Sequence, residues 1–314
     1  MRNRVFLFPG QGSQFLGMGK DLHDCFFAAR EVFEEVDDAL GQSLTSIIFG
    51  EDNEKLTLTE NTQPALMAVS IAVIRVIKQE TGKSFAELCD FAAGHSLGEY
   101  SALCAAGTMS LSDCAKLLRI RGRAMQSACP AGVGGMVACI GVPISELEEI
   151  INSNKHLRGN CQIANDNSID QIVVSGRISA VDELVSIVKN AGKKAVKLKV
   201  SAPFHSSLME PARIRMREAL EDARLKSPAV PVIPNVLAYA TTDPEVIREA
   251  LTEQVTGRVR WTETMSFLVD NEVSDIFEIG ASQVLGGLAR RAPYGFSIVK
   301  SVGNLSEIEE FIRG

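Results

Sequence analysis

Short apolar runs and longer amphipathic stretches follow one another along this chain. Residues 5–8 and 91–93 are apolar and each run ends at a glycine-containing turn, so each predicts a buried strand. Apolar positions with helical spacing follow at 21–40 and 64–80, and again at 96–106. Strand, glycine turn and helix in this order are typical of an α/β fold built on a parallel sheet.

The rhythm changes near residue 129, where the pattern predicts the order β-α-β-β-α-β that is typical of the ferredoxin-like fold. We therefore expect an α/β protein. A small ferredoxin-like domain, 129–200, is inserted into a large α/β-hydrolase-like domain with a parallel sheet, made of 1–128 and 201–314. The predicted elements from this point are strands at 136–142, 161–165, 171–175, 194–200, 230–235 and 274–279, helices at 145–154, 180–190, 207–224 and 244–256, a turn at 165–168, and a final helix after Gly280.

Composition and charge exclude several classes of protein. The 314 residues are enough for about two domains, and a content of 46% apolar and 23% charged residues is ordinary for a globular chain. The net charge of −7 argues against a surface that is basic throughout and binds nucleic acid, although a local patch could still bind an anion. The most apolar stretch, 65–77, is too short for a membrane span, which needs about 20 residues. The N-terminus lacks the long apolar region of a signal peptide. We expect a cytoplasmic protein with no membrane or nucleic-acid partner.

The seven cysteines are scattered, odd in number and without a Cys-x-x-Cys pair. This pattern favours small buried residues in a reducing compartment over a disulfide framework or a structural zinc site. No metal site is expected.

Gly94-His-Ser-Leu-Gly98 fits the Gly-x-Ser-x-Gly pattern and lies between a predicted strand and a predicted helix. That context is the one in which a nucleophilic serine is exposed on a sharp turn. At a helix N-terminus, free N–H groups would also stabilise an oxyanion. We predict that Ser96 is a nucleophile; the alternative is an ordinary helix cap.

A serine nucleophile needs a base, and the chain offers only four histidines. His95 adjoins Ser96, and neighbouring side chains on a sharp turn point apart. His23 and His156 lie in segments that predict the protein surface. His205 follows a predicted strand in a polar, proline-containing loop, where catalytic residues are common, so we predict that it is the base. The alternative is a loop histidine that caps the next helix.

Arg121 lies in the middle of the apolar face of a predicted amphipathic helix over 111–126. A buried arginine needs a partner, so it either pairs with a carboxylate of the protein or faces a cleft that binds an anionic ligand. The pattern alone leaves both possibilities open. The apolar face carries Cys114, Leu117, Leu118, Ala124 and Met125, and the expected solvated side carries Lys116, Arg119 and Arg123.

The glycine-rich loop over 9–19 follows the first predicted strand. It resembles a dinucleotide-binding fingerprint, but Phe15 stands where the last glycine is needed, and no Gly-Lys-Ser/Thr follows for a phosphate loop. Backbone N–H groups near Gln11 could instead help to form an oxyanion hole, and a purely structural loop is the alternative.

Together these motifs resemble the malonyl-CoA:acyl-carrier-protein transacylases of bacterial type II fatty-acid synthesis, over essentially the whole chain. The motifs that carry the resemblance are Phe8-Pro-Gly-Gln-Gly-Ser-Gln14, Thr62-Gln-Pro-Ala65, Gly94-His-Ser-Leu-Gly-Glu-Tyr100, Arg121-Gly, Ala164-Asn-Asp-Asn-Ser168, Pro203-Phe-His205 and Glu278-Ile-Gly280.

The resemblance implies a ping-pong acyltransferase in which Ser96 is acylated and His205 is its base. It also implies that a backbone carbonyl at Gln254 orients the histidine, and that the backbone N–H groups of Gln11 and Leu97 form the oxyanion hole. The implied substrate is malonyl-CoA, and the implied partner is an acyl carrier protein bearing phosphopantetheine. No bound cofactor is implied.

By the same resemblance, Arg121 would hold the malonyl carboxylate and Gln63 would line its pocket. Phe204 suggests malonyl over methylmalonyl, because a bulky ring crowds an α-branch. Some bacterial relatives have serine instead of phenylalanine before this histidine.

Two other functions remain as hypotheses. A serine hydrolase or thioesterase of the α/β-hydrolase type would need a late histidine, but none follows His205, and the His-Gly-Gly-Gly oxyanion motif is absent. A non-catalytic module that binds carrier proteins would not need the intact motifs.

Overall fold

The computed structural model describes residues 3–200, 202–291 and 294–313. The strands are β1 Asn3–Phe8, β2 Phe91–Gly94, β3 Gly134–Ile140, β4 Cys161–Ser168, β5 Gln171–Arg177, β6 Lys194–Lys197, β7 Val232–Ile233, β8 Val259–Arg260, β9 Val273–Ile279 and β10 Ile298–Val302. The helices are α1 Lys20–Cys25, α2 Phe27–Leu40, α3 Leu44–Ile48, α4 Asn53–Thr57, α5 Thr59–Thr81, α6 Phe85–Leu88, α7 Leu97–Ala105, α8 Leu111–Ser127, α9 Ile144–Ser153, α10 Ile178–Asn190, α11 Glu210–Glu221, α12 Pro244–Gln254, α13 Trp261–Asp270, α14 Val284–Arg291 and α15 Leu305–Arg313, with a 3₁₀ turn at Ser207–Met209.

The first sheet is parallel, with strand order β10-β9-β1-β2-β7. Its central strand β1 is apolar on both faces because helices cover both. Phe6 and Phe8 belong to the apolar core on the side of α5, and Val5 and Leu7 belong to a second core with Trp261 of α13. The continuous apolar run in the sequence therefore reports a strand buried on both sides.

The second sheet has the order β6-β3-β5-β4-β8 and is antiparallel from β6 to β4. One face packs with α9 and α10 around a core of its own, which includes Val137 and Cys139 of β3. Met136 and Ala138 lie on the opposite face of β3. They belong to the apolar core that the first sheet shares with α5. The two sheets are thus connected through shared apolar packing.

The predicted α/β class with a parallel sheet is confirmed, and several element predictions need correction. The turn predicted at 165–168 is wrong, because β4 continues through irregular pairing to Ser168. The single helix predicted at 21–40 is two helices, separated at Phe26, whose backbone is extended. Strand β8 pairs with β4 of the second sheet, which the pattern did not predict. Strand β10 and helix α15 were also not predicted.

Within the described ranges, no helix combines the length and the apolar character that crossing a membrane requires. In the same ranges no cluster of three or more histidine, cysteine or acidic side chains is arranged to hold a metal ion. All seven cysteines carry free thiols.

Candidate active site

Ser96 lies on the sharp turn between β2 and α7. Its backbone has φ 54° and ψ −110°, a conformation that residues with a side chain rarely adopt. The flanking glycines make the turn possible. A Cβ on Gly94 would lie 1.9 Å from the carbonyl oxygen of Gly98, and a Cβ on Gly98 would lie 2.2 Å from that of Phe8. The glycines of the motif are therefore required by backbone packing, and the turn projects the serine hydroxyl beyond the sheet.

His205 is the histidine that contacts this hydroxyl. Its Nε2 lies 2.8 Å from Ser96 Oγ, and its Nδ1 lies 2.8 Å from the carbonyl oxygen of Gln254 and 3.2 Å from that of Gly257. Because carbonyl oxygens only accept hydrogen bonds, Nδ1 carries the hydrogen and the Nε2 lone pair faces the serine. Burial, with the positive charge of Arg121 nearby, lowers the pKa of His205 to about 3. A neutral imidazole in this orientation can accept the proton of Ser96.

The other three histidines make no hydrogen bond to Ser96 in the described residues, although His95 also lines the cavity in front of it. His95 Nε2 is 2.8 Å from the side-chain oxygen of Asn167, and its ring packs against Trp261. His23 packs against aromatic side chains near α2, and His156 is exposed. The structure thus brings together the serine and the histidine that the sequence favoured.

Arg121 lies beside Ser96 and is 1% exposed. Its Nη1 donates to Gln63 Oε1 at 2.8 Å, and its Nη2 donates to Gln254 Oε1 at 2.8 Å and to Ser96 Oγ at 3.0 Å. The guanidinium also lies 5.6 Å from the centre of the Tyr100 ring. Its hydrogen-bond partners among the described residues are amide oxygens and a hydroxyl rather than a carboxylate. Of the two possibilities that the sequence left open, the structure favours a cation facing a cleft.

Arg119, two residues earlier on α8, corrects another expectation. We expected it on a solvated side of the helix, but it is buried, with Nη1 2.7 Å from Asn61 Oδ1 and 3.7 Å from Glu60 Oε2. The N-terminal end of α5 covers this side of α8, which the periodicity of one helix cannot reveal.

A cavity of about 190 Å³ opens in front of Ser96. Its lining includes all the predicted site residues except Gln254, which lies behind Arg121. One side of the cavity is formed by polar side chains of the site, and the other includes apolar side chains. The lining residues named by the sequence are Gln11, Gln63, Ser96, Leu97, Arg121, Phe204 and His205, and the apolar side includes Met125, Met136, Leu198 and Val200.

Two further residues hold the turn, and the sequence analysis assigned a role to neither, although Glu99 stands within the Gly94–Tyr100 motif. Asn235 Oδ1 accepts the N–H of Ser96 at 2.7 Å, and its Nδ2 donates to the carbonyl oxygen of Gly94 at 2.7 Å. Glu99 Oε2 accepts the N–H of Asn235 at 2.8 Å and Nε2 of Gln254 at 2.7 Å. Burial raises the pKa of Glu99 to about 7. The sequence did contain a signal for Glu99, because it is the one acidic residue in the otherwise mostly apolar stretch that forms α7.

The arrangement also restricts which N–H groups can stabilise an oxyanion. The N–H of Ser96 is occupied by Asn235. Leu97 is the first residue of α7, so its N–H has no acceptor within the helix. Gln11 lines the same cavity. The oxyanion hole that the resemblance implies, formed by the N–H groups of Leu97 and Gln11, stays a prediction.

Comparison with known proteins identifies the family. A family model described as the acyl transferase domain matches residues 5–286, which is most of the chain. This chain belongs to the acyl transferase family. Its acyltransferase fold is shared, at a TM-score of 0.95 and 52% identity, with the crystal structure of acyl-carrier-protein-S-malonyltransferase from Bartonella henselae, over 99% of this chain and 98% of that one.

Curated relatives narrow the family further. The acyltransferase is 44% identical to the malonyl CoA-acyl carrier protein transacylase of Bacillus subtilis (strain 168), over 93% of this chain and 90% of the relative. It is 38% identical to the enzyme of that name from Haemophilus influenzae, over 99% and 100% of the two chains. A second similar structure is a type II PKS acyl-carrier protein in complex with its malonyl-transacylase, at 36% identity, a TM-score of 0.93 and 99% coverage of both chains.

Proposed function

We propose that this acyltransferase moves a malonyl group from malonyl-CoA to the phosphopantetheine thiol of an acyl carrier protein. The observation that carries the proposal is Arg121, a buried cation whose Nη2 lies 3.0 Å from Ser96 Oγ in the same cavity. An acyl group that bears its own carboxylate would complete this site, because a guanidinium matches a carboxylate with two parallel hydrogen bonds. Relatives that are named malonyl transacylases support the same substrate.

In the first half-reaction, Ser96 Oγ attacks the thioester carbonyl of malonyl-CoA while His205 Nε2 takes its proton. The carbonyl oxygen becomes negatively charged and is stabilised by the N–H groups of Leu97 and Gln11. When the tetrahedral intermediate collapses, the C–S bond breaks and the sulfur leaves with the proton from His205 as the CoA thiol. The malonyl group is then an ester of Ser96.

In the second half-reaction, the carrier protein's thiol occupies the place that the CoA thiol left. His205 removes its proton, and the sulfur attacks the carbonyl carbon of the serine ester. When this second tetrahedral intermediate collapses, the bond from that carbon to Ser96 Oγ breaks and the proton returns from His205 to Ser96 Oγ. The carbonyls of Gln254 and Gly257 keep the histidine in one tautomer through both halves, as the carboxylate does in a serine triad.

The acyl pocket also predicts a preference between malonyl and methylmalonyl groups. Phe204 is 9% exposed, lines the cavity and immediately precedes the base. Its ring limits the space beside the α-carbon of the bound acyl group, which favours malonyl over methylmalonyl. No metal or bound cofactor enters this chemistry, because the only proton carrier that it needs is His205.

The domain assignment is part of the proposal. We assign 1–128 and 201–314 to a large α/β-hydrolase-like domain and 129–200 to a small ferredoxin-like one. The strand order β6-β3-β5-β4 with antiparallel pairing supports the small domain, and so does its separate core. Six residues of the large domain lie outside the described ranges: 1, 2, 201, 292, 293 and 314. A cytoplasmic location stays a prediction from the sequence.

Intact-protein mass spectrometry tests the function. Brief exposure to malonyl-CoA should add the mass of one malonyl group, and holo acyl carrier protein should then remove it. Ser96→Ala should abolish the adduct. Ser101→Ala is a matched control, because Ser101 also lies on the buried face of α7 and its hydroxyl has no partner among the described residues.

Several results would contradict the proposal. A malonyl adduct that persists in Ser96→Ala would exclude this serine as the nucleophile. Equal loading from malonyl-, methylmalonyl- and acetyl-CoA would exclude a carboxylate-selective site. Rapid turnover of p-nitrophenyl esters without any preference for malonyl-CoA would favour the serine hydrolase.

A further inference from the structure

Gln162, a half-buried residue of β4 in the second sheet, contacts the catalytic histidine's loop from outside the cavity. Its Nε2 donates to the carbonyl oxygen of His205 at 3.3 Å and to that of Thr256 at 3.1 Å. Its Oε1 accepts the N–H of Ser207 at 3.0 Å. One amide therefore bridges two backbone loops that are distant in sequence.

The two bridged loops are the ones whose relative position orients the base. His205 Nδ1 donates to carbonyl oxygens at Gln254 and Gly257, on either side of Thr256. If the loops moved apart, these hydrogen bonds would lengthen and Nε2 would no longer be held 2.8 Å from Ser96 Oγ. The placement of one loop against the other thus controls the proton transfer.

His205 needs this support because of its own backbone. Its φ of 56° lies in the left-handed region, which is unfavourable for a residue with a side chain. Gln162 fixes the chain directly after that residue, because it bonds both to the carbonyl of His205 and to the N–H of Ser207. A strained conformation persists when its surroundings over-determine it, and here those surroundings come from the second sheet.

We propose that Gln162 is a positioning residue for the transfer reaction: through its amide, the second sheet holds His205 in register with Ser96. The inference rests on the proposed function, since it assigns to His205 the role of base. A positioning role differs from a purely structural one in its consequence. Loss of the Gln162 amide should slow the chemical step and leave substrate binding unchanged.

The variant Gln162→Met keeps the length and apolar stem of the side chain and removes all three hydrogen bonds. Gln162→Glu keeps an acceptor for Ser207 and replaces the donor by an oxygen that the two carbonyls repel. Solvent reaches this amide through a cleft of about 470 Å³ lined by Gln162, Ser206 and Ser207, so water can enter when the side chain changes. The matched control is Gln171→Met, at the opposite end of the paired strand β5.

The readouts are the single-turnover rate of Ser96 malonylation, the Kd of malonyl-CoA and the NMR signal of the His205 Nδ1 proton. We expect both Gln162 variants to slow malonylation about tenfold or more, since a displacement of 1 Å can cost about 10²-fold. The Kd, measured in each variant combined with Ser96→Ala, should stay unchanged, and the Nδ1 proton signal should shift. Gln171→Met should match the wild type in all three.

Unchanged malonylation in the Gln162 variants, or a Kd that rises in step with the loss of rate, would overturn the inference. Failure of the proposed function would look different, because then neither the wild-type protein nor Gln171→Met would become malonylated.

Discussion

Replacing Arg121 by alanine separates recognition of the acyl carboxylate from the chemistry at Ser96. Hydrogen bonds to charged groups contribute about 1.5–3 kcal/mol each. A guanidinium that makes two such bonds to malonyl would therefore contribute about 3–6 kcal/mol, which corresponds to about 10²–10⁴-fold in kcat/KM. Acetyl-CoA has no carboxylate to lose, so its transfer should fall much less.

Acetyl transfer should still fall somewhat, because Arg121 also holds the site together. Its removal deprives Gln63 and Gln254 of a donor and Ser96 of the Nη2 contact at 3.0 Å. It also leaves Glu99 without the positive charge that partly offsets its burial, so the pKa of Glu99 should rise further. These losses affect both acyl groups alike and cancel in the ratio of malonyl to acetyl transfer.

The assay compares kcat/KM for malonyl-CoA and acetyl-CoA in wild-type protein, Arg121→Ala and Arg119→Ala. Arg119 is the control because it is a buried arginine of the same helix whose contacts, Asn61 and Glu60, lie outside the cavity. Thermal unfolding of each variant checks that it is folded. Equal losses on the two substrates in Arg121→Ala, or the same change of ratio in Arg119→Ala, would refute a carboxylate-binding role.

Other expectations concern the base, the pocket and a buried carboxyl. His205→Ala should slow acylation by about 10²–10⁴-fold in single-turnover assays, and a near-normal rate would point to another base. Because the pKa of His205 is lowered from 6.5 to about 3, the wild-type rate should not fall at pH 6.5 as it would with an ordinary histidine. Phe204→Leu should raise methylmalonyl relative to malonyl loading by about tenfold, as mass spectrometry would detect. Glu99→Gln can keep both hydrogen bonds through its oxygen and should remain active, whereas Glu99→Leu should lose activity as Gln254 is released.

The shifted pKa values of His205 and Glu99 predict how the stability of the folded protein depends on pH. His205 binds a proton more readily unfolded than folded, so its contribution is complete above pH 6.5 and is lost as pH falls toward about 3. Glu99 has the opposite sign. Its pKa is raised from 4.5 to about 7, so its contribution is complete below pH 4.5 and is lost as pH rises through about 7. Urea unfolding of Glu99→Gln should show a smaller loss of stability across that range than the wild type, and an identical profile would contradict the assignment.

Local sequence was enough to single out Ser96 as the proposed nucleophile, because the features that form its sharp turn are local. The apolar run of β2, the glycines and the start of α7 are contiguous, and backbone sterics at Gly94 and Gly98 act over a few residues. Periodicity within one helix likewise placed Arg121 on a buried face. The same reasoning went wrong at Arg119, whose burial depends on α5, a helix from another part of the chain.

Tertiary structure decided which groups surround Ser96. Gln254 lies 158 positions after Ser96, and its side chain donates to the serine carbonyl while its own carbonyl accepts from His205. Asn235 and Gln162 also reach the site from distant segments. Parallel strands are joined by long crossovers, so residues adjacent at the sheet edge are far apart in sequence. No periodic pattern in the sequence spans such distances. The sequence alone therefore singles out the serine, and only the tertiary structure brings together the groups that contact it.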